Sequence, residues 1–152
     1  MANSQALCTS FKVDLLNGKH AFGTTVTRGS TAADSFKFAL YLTSASLGAS
    51  TTVYSATGEL AASGNYTAGG NAVTNATAPT SSGTTSYWTP SASTTWTALT
   101  SSGAFDAALM YNTSQSNAAV GVFTFGSTSI TAGNFSLTMP TNDSSTGLIR
   151  IA

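Results

Sequence analysis

Apolar and polar positions alternate with a period of two through most of this chain. The clearest case is residues 34–42. There Phe36, Phe38, Leu40 and Leu42 point one way and Ser35, Lys37, Ala39 and Tyr41 the other, which predicts a half-buried strand with Lys37 on the open face. Further strands are expected at 22–28, 51–55, 72–78 and 94–99, with a turn at Gly69-Gly70 and a polar turn over 79–85. The last third, residues 103–152, carries apolar runs at 105–111, 118–125, 135–139 and 148–151 between short Ser/Thr/Asn/Gly segments. That rhythm is the mark of an antiparallel meander or Greek key. Only residues 9–20 (TSFKVDLLNGKH) read as helix. Thr9 or Ser10 can cap it, Phe11, Leu15 and Leu16 share a face, and Asn17-Gly18 supplies a stop. A helix this short must dock, either as a lid over one end of the β core or as an arm reaching a neighbouring subunit.

The expected fold is all-β: an antiparallel β-sandwich, jelly-roll or Ig-like, with one short N-terminal helix. It has roughly nine to ten strands, with turn signals at about every 8–12 residues. Residues 1–20 form an N-terminal arm and helix, and residues 21–152 a single sandwich domain.

Composition narrows what such a domain can do. Charged residues are 7% of the chain, against roughly 25% in ordinary globular proteins, and hydrophobic residues are 41% with mean hydropathy +0.12. Hydroxyl side chains replace charge as the source of polarity. Five Lys/Arg balance five Asp/Glu, so no positive field exists to hold nucleic acid or an anionic membrane. A neutral surface gives little protection against association, which points to a homo-oligomer or a subunit packed among others. Cys8 is the only cysteine, and no apolar run approaches the roughly 18 residues that span a membrane. The N-terminus has neither the basic start nor the apolar core of a secretion signal, so synthesis and retention in a cytosol are expected.

Candidate chemistry is sparse. His20 is the only histidine and is expected at the helix end or surface, where its charge would suit the C-terminal dipole; no nucleophile elbow accompanies it. The acids are Asp14, Asp34, Glu59, Asp106 and Asp143. Asp106 lies mid-strand and is expected to pair with Lys37, Arg28 or Arg150. A glycosidase would require it to converge with Glu59. One histidine and one cysteine exclude the usual zinc sets. Asp143 sits in a segment that reads as a plain loop, and no cofactor fingerprint is present. No catalytic residue, metal or cofactor is therefore expected. Tyr66, Tyr87 and Trp88 are candidates for contact with a partner or a glycan, with Trp96 in the core and Trp88 packed at an edge or interface. Phe11 and Leu15 are candidates for an anchoring contact from the helix.

The segments SFKVDLLNGKHAF, DSFKFALYL, TTVYSATGEL with GNYTAGGNAVTNAT, and AALMYNTSQSNAAVGVFTFGSTSITAGNFSLTMP with GLIRIA cover most of the chain. Together they resemble small structural proteins of tailed bacteriophages. The resemblance implies a non-enzymatic virion protein, made in the host cytoplasm and assembled with a major capsid protein or with tail proteins. Its leading form is a capsid decoration or cement protein acting as a homo-oligomer. The alternative is a tail, collar or fibre component that contacts a host glycan.

Overall fold

The apolar rows pair into one sheet that the rest of the chain covers. The computed structural model describes residues 2–16, 18–23 and 32–152. In chain order its elements are β1 (Ala6–Leu7), α1 (Thr9–Leu16), β2 (Phe36–Leu42), β3 (Asn71–Ala72), β4 (Thr80–Ser82) and β5 (Thr85–Trp88). There follow β6 (Thr94–Leu99), β7 (Phe105–Asn112), β8 (Ala118–Thr128), β9 (Gly133–Leu137) and β10 (Ile149–Ile151). The main sheet has five strands in the order β1-β8-β7-β2-β3, beside a three-stranded sheet β10-β5-β4 and a two-stranded sheet β6-β9. Every pairing is antiparallel. The fold is all-β and sandwich-like with one short helix.

Strand β2 departs from the half-buried expectation. Ala39 and Tyr41 are as fully buried as Phe38 and Leu40, so both faces of the strand are covered and only Lys37 is left partly exposed on the second face. The physical reason is the loop around residues 55–58, which lies over the second face where the Tyr41 hydroxyl donates to the Ser55 carbonyl. Strand β7 flanks one edge of β2, and β3 with the 58–60 segment flanks the other. One face meets the two smaller sheets through aromatic rings. Phe36 packs against Phe22 at 4.7 Å and Trp88 at 6.3 Å, while Phe105 meets Phe125 and Phe135 at 5.9 and 5.0 Å. Trp96 is core, as expected, and stacks on Phe135.

The helix ends at Leu16, earlier than the sequence pattern suggests. The Gly18 amide donates to the Leu15 carbonyl and the Lys19 amide to the Asp14 carbonyl, with Gly18 at φ +67°. This is the Schellman closure that a glycine just past a helix permits. At the other end, Thr9 is already helical, and its amide is satisfied by the Ala49 carbonyl rather than by a side-chain cap. The chain before the helix lies along β8, where β1 pairs and the Cys8 amide donates to the Val120 carbonyl.

Other boundaries also shift. The strand expected at 51–55 is a single bridge at Val53, and the one at 72–78 shrinks to Asn71–Ala72. The 79–85 turn is wider in role, because it carries β4 and opens into β5. The strand expected at 22–28 falls mostly outside the described residues.

Candidate functional site

The residues singled out as contacts do not converge on one surface. Phe11 is 0% exposed and packs on His20 and Phe22, so it belongs to the core instead of reaching outward. Tyr66 is 1% exposed and Trp88 2%, which corrects the expectation that their rings lie open to a partner or glycan. The Trp88 indole N–H donates to the Thr77 carbonyl at 2.8 Å, which explains how a polar tip is tolerated inside. Leu15 is partly buried against the core, and Tyr87 is half-buried in β5 opposite Arg150 and Thr80.

The strongest polar constellation was legible only as separate residues. Glu59 lies in an irregular loop beside β2, where the Tyr41–Glu59 bridge holds its backbone. Its Oε1 accepts from the Tyr66 hydroxyl at 2.6 Å and from the Gly69 amide at 2.7 Å. Its Oε2 accepts from the Tyr54 hydroxyl at 2.6 Å. The Tyr66 hydroxyl in turn accepts from the Leu40 amide, and the Tyr111 hydroxyl donates to the Gly69 carbonyl at 2.6 Å. Tyr54 and Tyr111 stack with centroids 4.7 Å apart. Burial, followed by the Glu59 carboxylate, pushes the Tyr54 and Tyr66 hydroxyls well above the usual phenol range. They are proton donors locked to an acceptor, an arrangement that holds a loop to a sheet. Gly69-Gly70 makes it fit, because a Cβ on Gly70 would collide with the Phe38 carbonyl oxygen.

A second cluster surrounds His20. Its side chain is shielded from solvent, contrary to the surface position expected, because the Gly18 reversal folds it back against Phe11 and Phe22. The Asn112 amide nitrogen, which can only donate, sits 3.0 Å from His20 Nδ1 and 2.7 Å from Asp34 Oδ2. Nδ1 is therefore the acceptor and the ring proton lies on Nε2, which is 3.6 Å from Asp14 Oδ2 and has no hydrogen-bond partner among the described residues. Burial holds the imidazole pKa below its ordinary value, partly opposed by Asp14. Asp34 also accepts from the Ala21 amide and, at 3.4 Å, from Gln115, while its own amide donates to the Ala21 carbonyl. The cluster ties the two ends of the 21–34 segment together.

The remaining acids are likewise engaged. Asp14 pairs with Lys19 at 3.1 Å. Asp106 accepts from the Asn3 amide at 2.6 Å instead of meeting Lys37 or Arg150, and Asn3 in turn bridges to the Leu42 carbonyl and the Leu47 amide. Asp143 accepts from the Ser145 and Thr146 amides and the Thr146 hydroxyl, and these bonds hold its carboxyl below the usual range. Glu59 and Asp106 have separate partners and form no pair. Burial raises the Cys8 thiol to about 11, so it stays protonated at neutral pH. Among the described residues no group of three or more His, Cys, Asp or Glu is placed to hold a metal ion.

No protein-family model, curated protein or solved structure matches the chain.

Proposed function

We propose that this chain is a non-enzymatic structural protein of a tailed-bacteriophage virion. In its leading form it is a capsid decoration or cement protein that clamps neighbouring shell subunits as a homo-oligomer. The observation that carries the proposal is the complete engagement of its acids. Asp14, Asp34, Glu59, Asp106 and Asp143 are all hydrogen-bonded or paired, and Asp34, Glu59 and Asp106 thereby fasten loops or the N-terminal segment to the main sheet. The only histidine and the only cysteine are buried as well. A chain that commits its acids and its one histidine to rigidity suits a particle component whose task is to add contacts. Surface burial at subunit junctions shifts the equilibrium towards the assembled shell. The segment-by-segment resemblance to small virion proteins supports the same assignment.

Copy number in purified particles tests it. A head-lattice protein is expected in hundreds of copies, and particle images with the chain labelled should decorate heads. Label confined to tails would replace the cement role with a tail, collar or fibre role. Polysaccharide cleavage by purified particles that disappears in an Asp106→Asn variant would replace both with a hydrolase.

A further inference from the structure

We propose that His20 and Asn112 form an acid-operated latch, which releases the 18–21 strap from the end of β7 while the sheets stay folded. The inference goes beyond the virion assignment and does not rest on it.

The latch works because one side-chain amide serves three neighbours. Asn112, the last residue of β7, donates from its amide nitrogen to His20 Nδ1 at 3.0 Å and to Asp34 Oδ2 at 2.7 Å. Its Oδ1 accepts from the Ser114 amide at 3.0 Å. This arrangement requires a neutral imidazole, because Nδ1 must accept. A proton added at Nδ1 sets that N–H against the Asn112 NH2, donor against donor. Turning the amide over does not repair the clash, since Oδ1 would then face the Asp34 carboxylate and the NH2 would face the Ser114 N–H. The imidazolium thus has no satisfied arrangement in the closed site, and its side chain, shielded from solvent, reaches water only by leaving.

The other groups around the ring do not rescue it. Among the described residues, α1 contributes Phe11 and Asp14, the segment after it Lys19 and Phe22, and the approach to β2 Asp34. Asp14 Oδ2 lies 3.6 Å away on the Nε2 side and is shared with the Lys19 ammonium at 3.1 Å. Asp34 Oδ2 already accepts from Asn112 and from the Ala21 amide. Burial opposes the charged ring more than Asp14 favours it, so the imidazole pKa is held below its ordinary value.

What moves follows from the remaining fastenings. The turn after β7 is held independently, because the Thr113 amide and hydroxyl both donate to the Ser35 carbonyl and the Ser35 amide donates to the Ser114 hydroxyl. Phe22 is stacked on Phe36, and Asn75 accepts from the Gly23 amide and donates to the Asp34 carbonyl. None of these contacts titrates. The strap's own polar ties to the sheet are the His20–Asn112 bond and the paired Ala21–Asp34 bonds, and both pass through groups that the proton disturbs. Residues 18–21 therefore swing out between the end of α1 and the anchored Phe22-Gly23.

Residue-resolved amide exchange on the full chain, at pH 7 and at about pH 5, tests this. Relative to their intrinsic rates, the Ala21, Asp34 and Ser114 amides should exchange at least about tenfold faster at the lower pH. The Leu40, Leu60 and Val73 amides, which are bonded in or to β2, should keep their protection. The His20 ring resonances should report the imidazolium in step with that loss. His20→Gln, which offers Asn112 a carbonyl acceptor and has no proton to gain, should keep all three strap-site amides protected at the lower pH. An imidazolium that forms without the loss, or an opening of the parent's pattern in His20→Gln, would overturn the latch. Simultaneous loss at Leu40, Leu60 and Val73 would overturn it in favour of ordinary acid unfolding. If the variant does not fold, the ring titration and amide exchange of the parent chain decide the matter alone.

Discussion

Glu59 shows how one carboxylate can fasten a long irregular segment. Its three donors come from positions 54, 66 and 69, so the single side chain closes the loop upstream and downstream of itself. Glu59→Gln turns one acceptor oxygen into a donor that faces a hydroxyl already donating. It should cost about 2 kcal/mol, read as a fall in Tm of roughly 4–8 °C. Tyr66→Phe should cost more than Tyr54→Phe, because the Tyr66 hydroxyl also satisfies the buried Leu40 amide. Equal losses in denaturant titrations would contradict that order. His20 carries a pH signature. Its folded pKa lies below the ordinary 6.5, so the folded chain binds fewer protons than the unfolded one across that interval. The stability it contributes is full above about 6.5 and is lost as pH falls towards the folded value. Tm measured from pH 7 to about pH 5 should therefore drop, and His20→Gln should flatten that part of the curve. Glu59, Tyr66 and the Gly69-Gly70 pair each stood out individually in the sequence. Their convergence did not, because a loop has no periodicity to say which side chains meet.

At the scale of elements, legibility followed the size of the side chains. The strands built on Phe36, Phe38, Trp96, Phe105 and Leu109 announce themselves because large apolar residues recur at strand spacing, and each lies within a residue or two of its expected bounds on at least one side. Strands β1, β3 and β4 are two or three residues long and carry almost no such signal. They exist because a longer neighbour offers them backbone partners. The 43–79 region is held chiefly by side chain-to-backbone bonds, such as Tyr41 to the Ser55 carbonyl and Asn71 to the Asn65 carbonyl, which no alternation can reveal. Its tightest point is Gly70, at φ +76° against the Phe38 carbonyl. Gly70→Ala should destabilise the chain by at least about 2 kcal/mol, from backbone strain plus displacement of β3 from β2. A chemical-denaturation midpoint equal to that of the parent would show that the segment can move aside without loss.

The whole molecule combines a core sheet covered on both faces with a surface almost free of charge. Association between such surfaces has little electrostatic content, so the homo-oligomer proposed above should persist between about 50 mM and about 500 mM salt when followed by light scattering. A strictly monomeric chain at both ends of that range would remove the self-association on which the cement role depends. The placement of the two tryptophans has one more consequence. Trp88 belongs to the three-stranded sheet and Trp96 to the two-stranded one, and both rings are buried. The protein thus carries a separate optical reporter for each of the layers that close over the main sheet. Replacing either tryptophan with phenylalanine leaves an emission signal that follows the other layer alone. Coincident transitions from the two variants would mean that both layers leave the core in one cooperative step, and separated transitions would identify which layer lets go first.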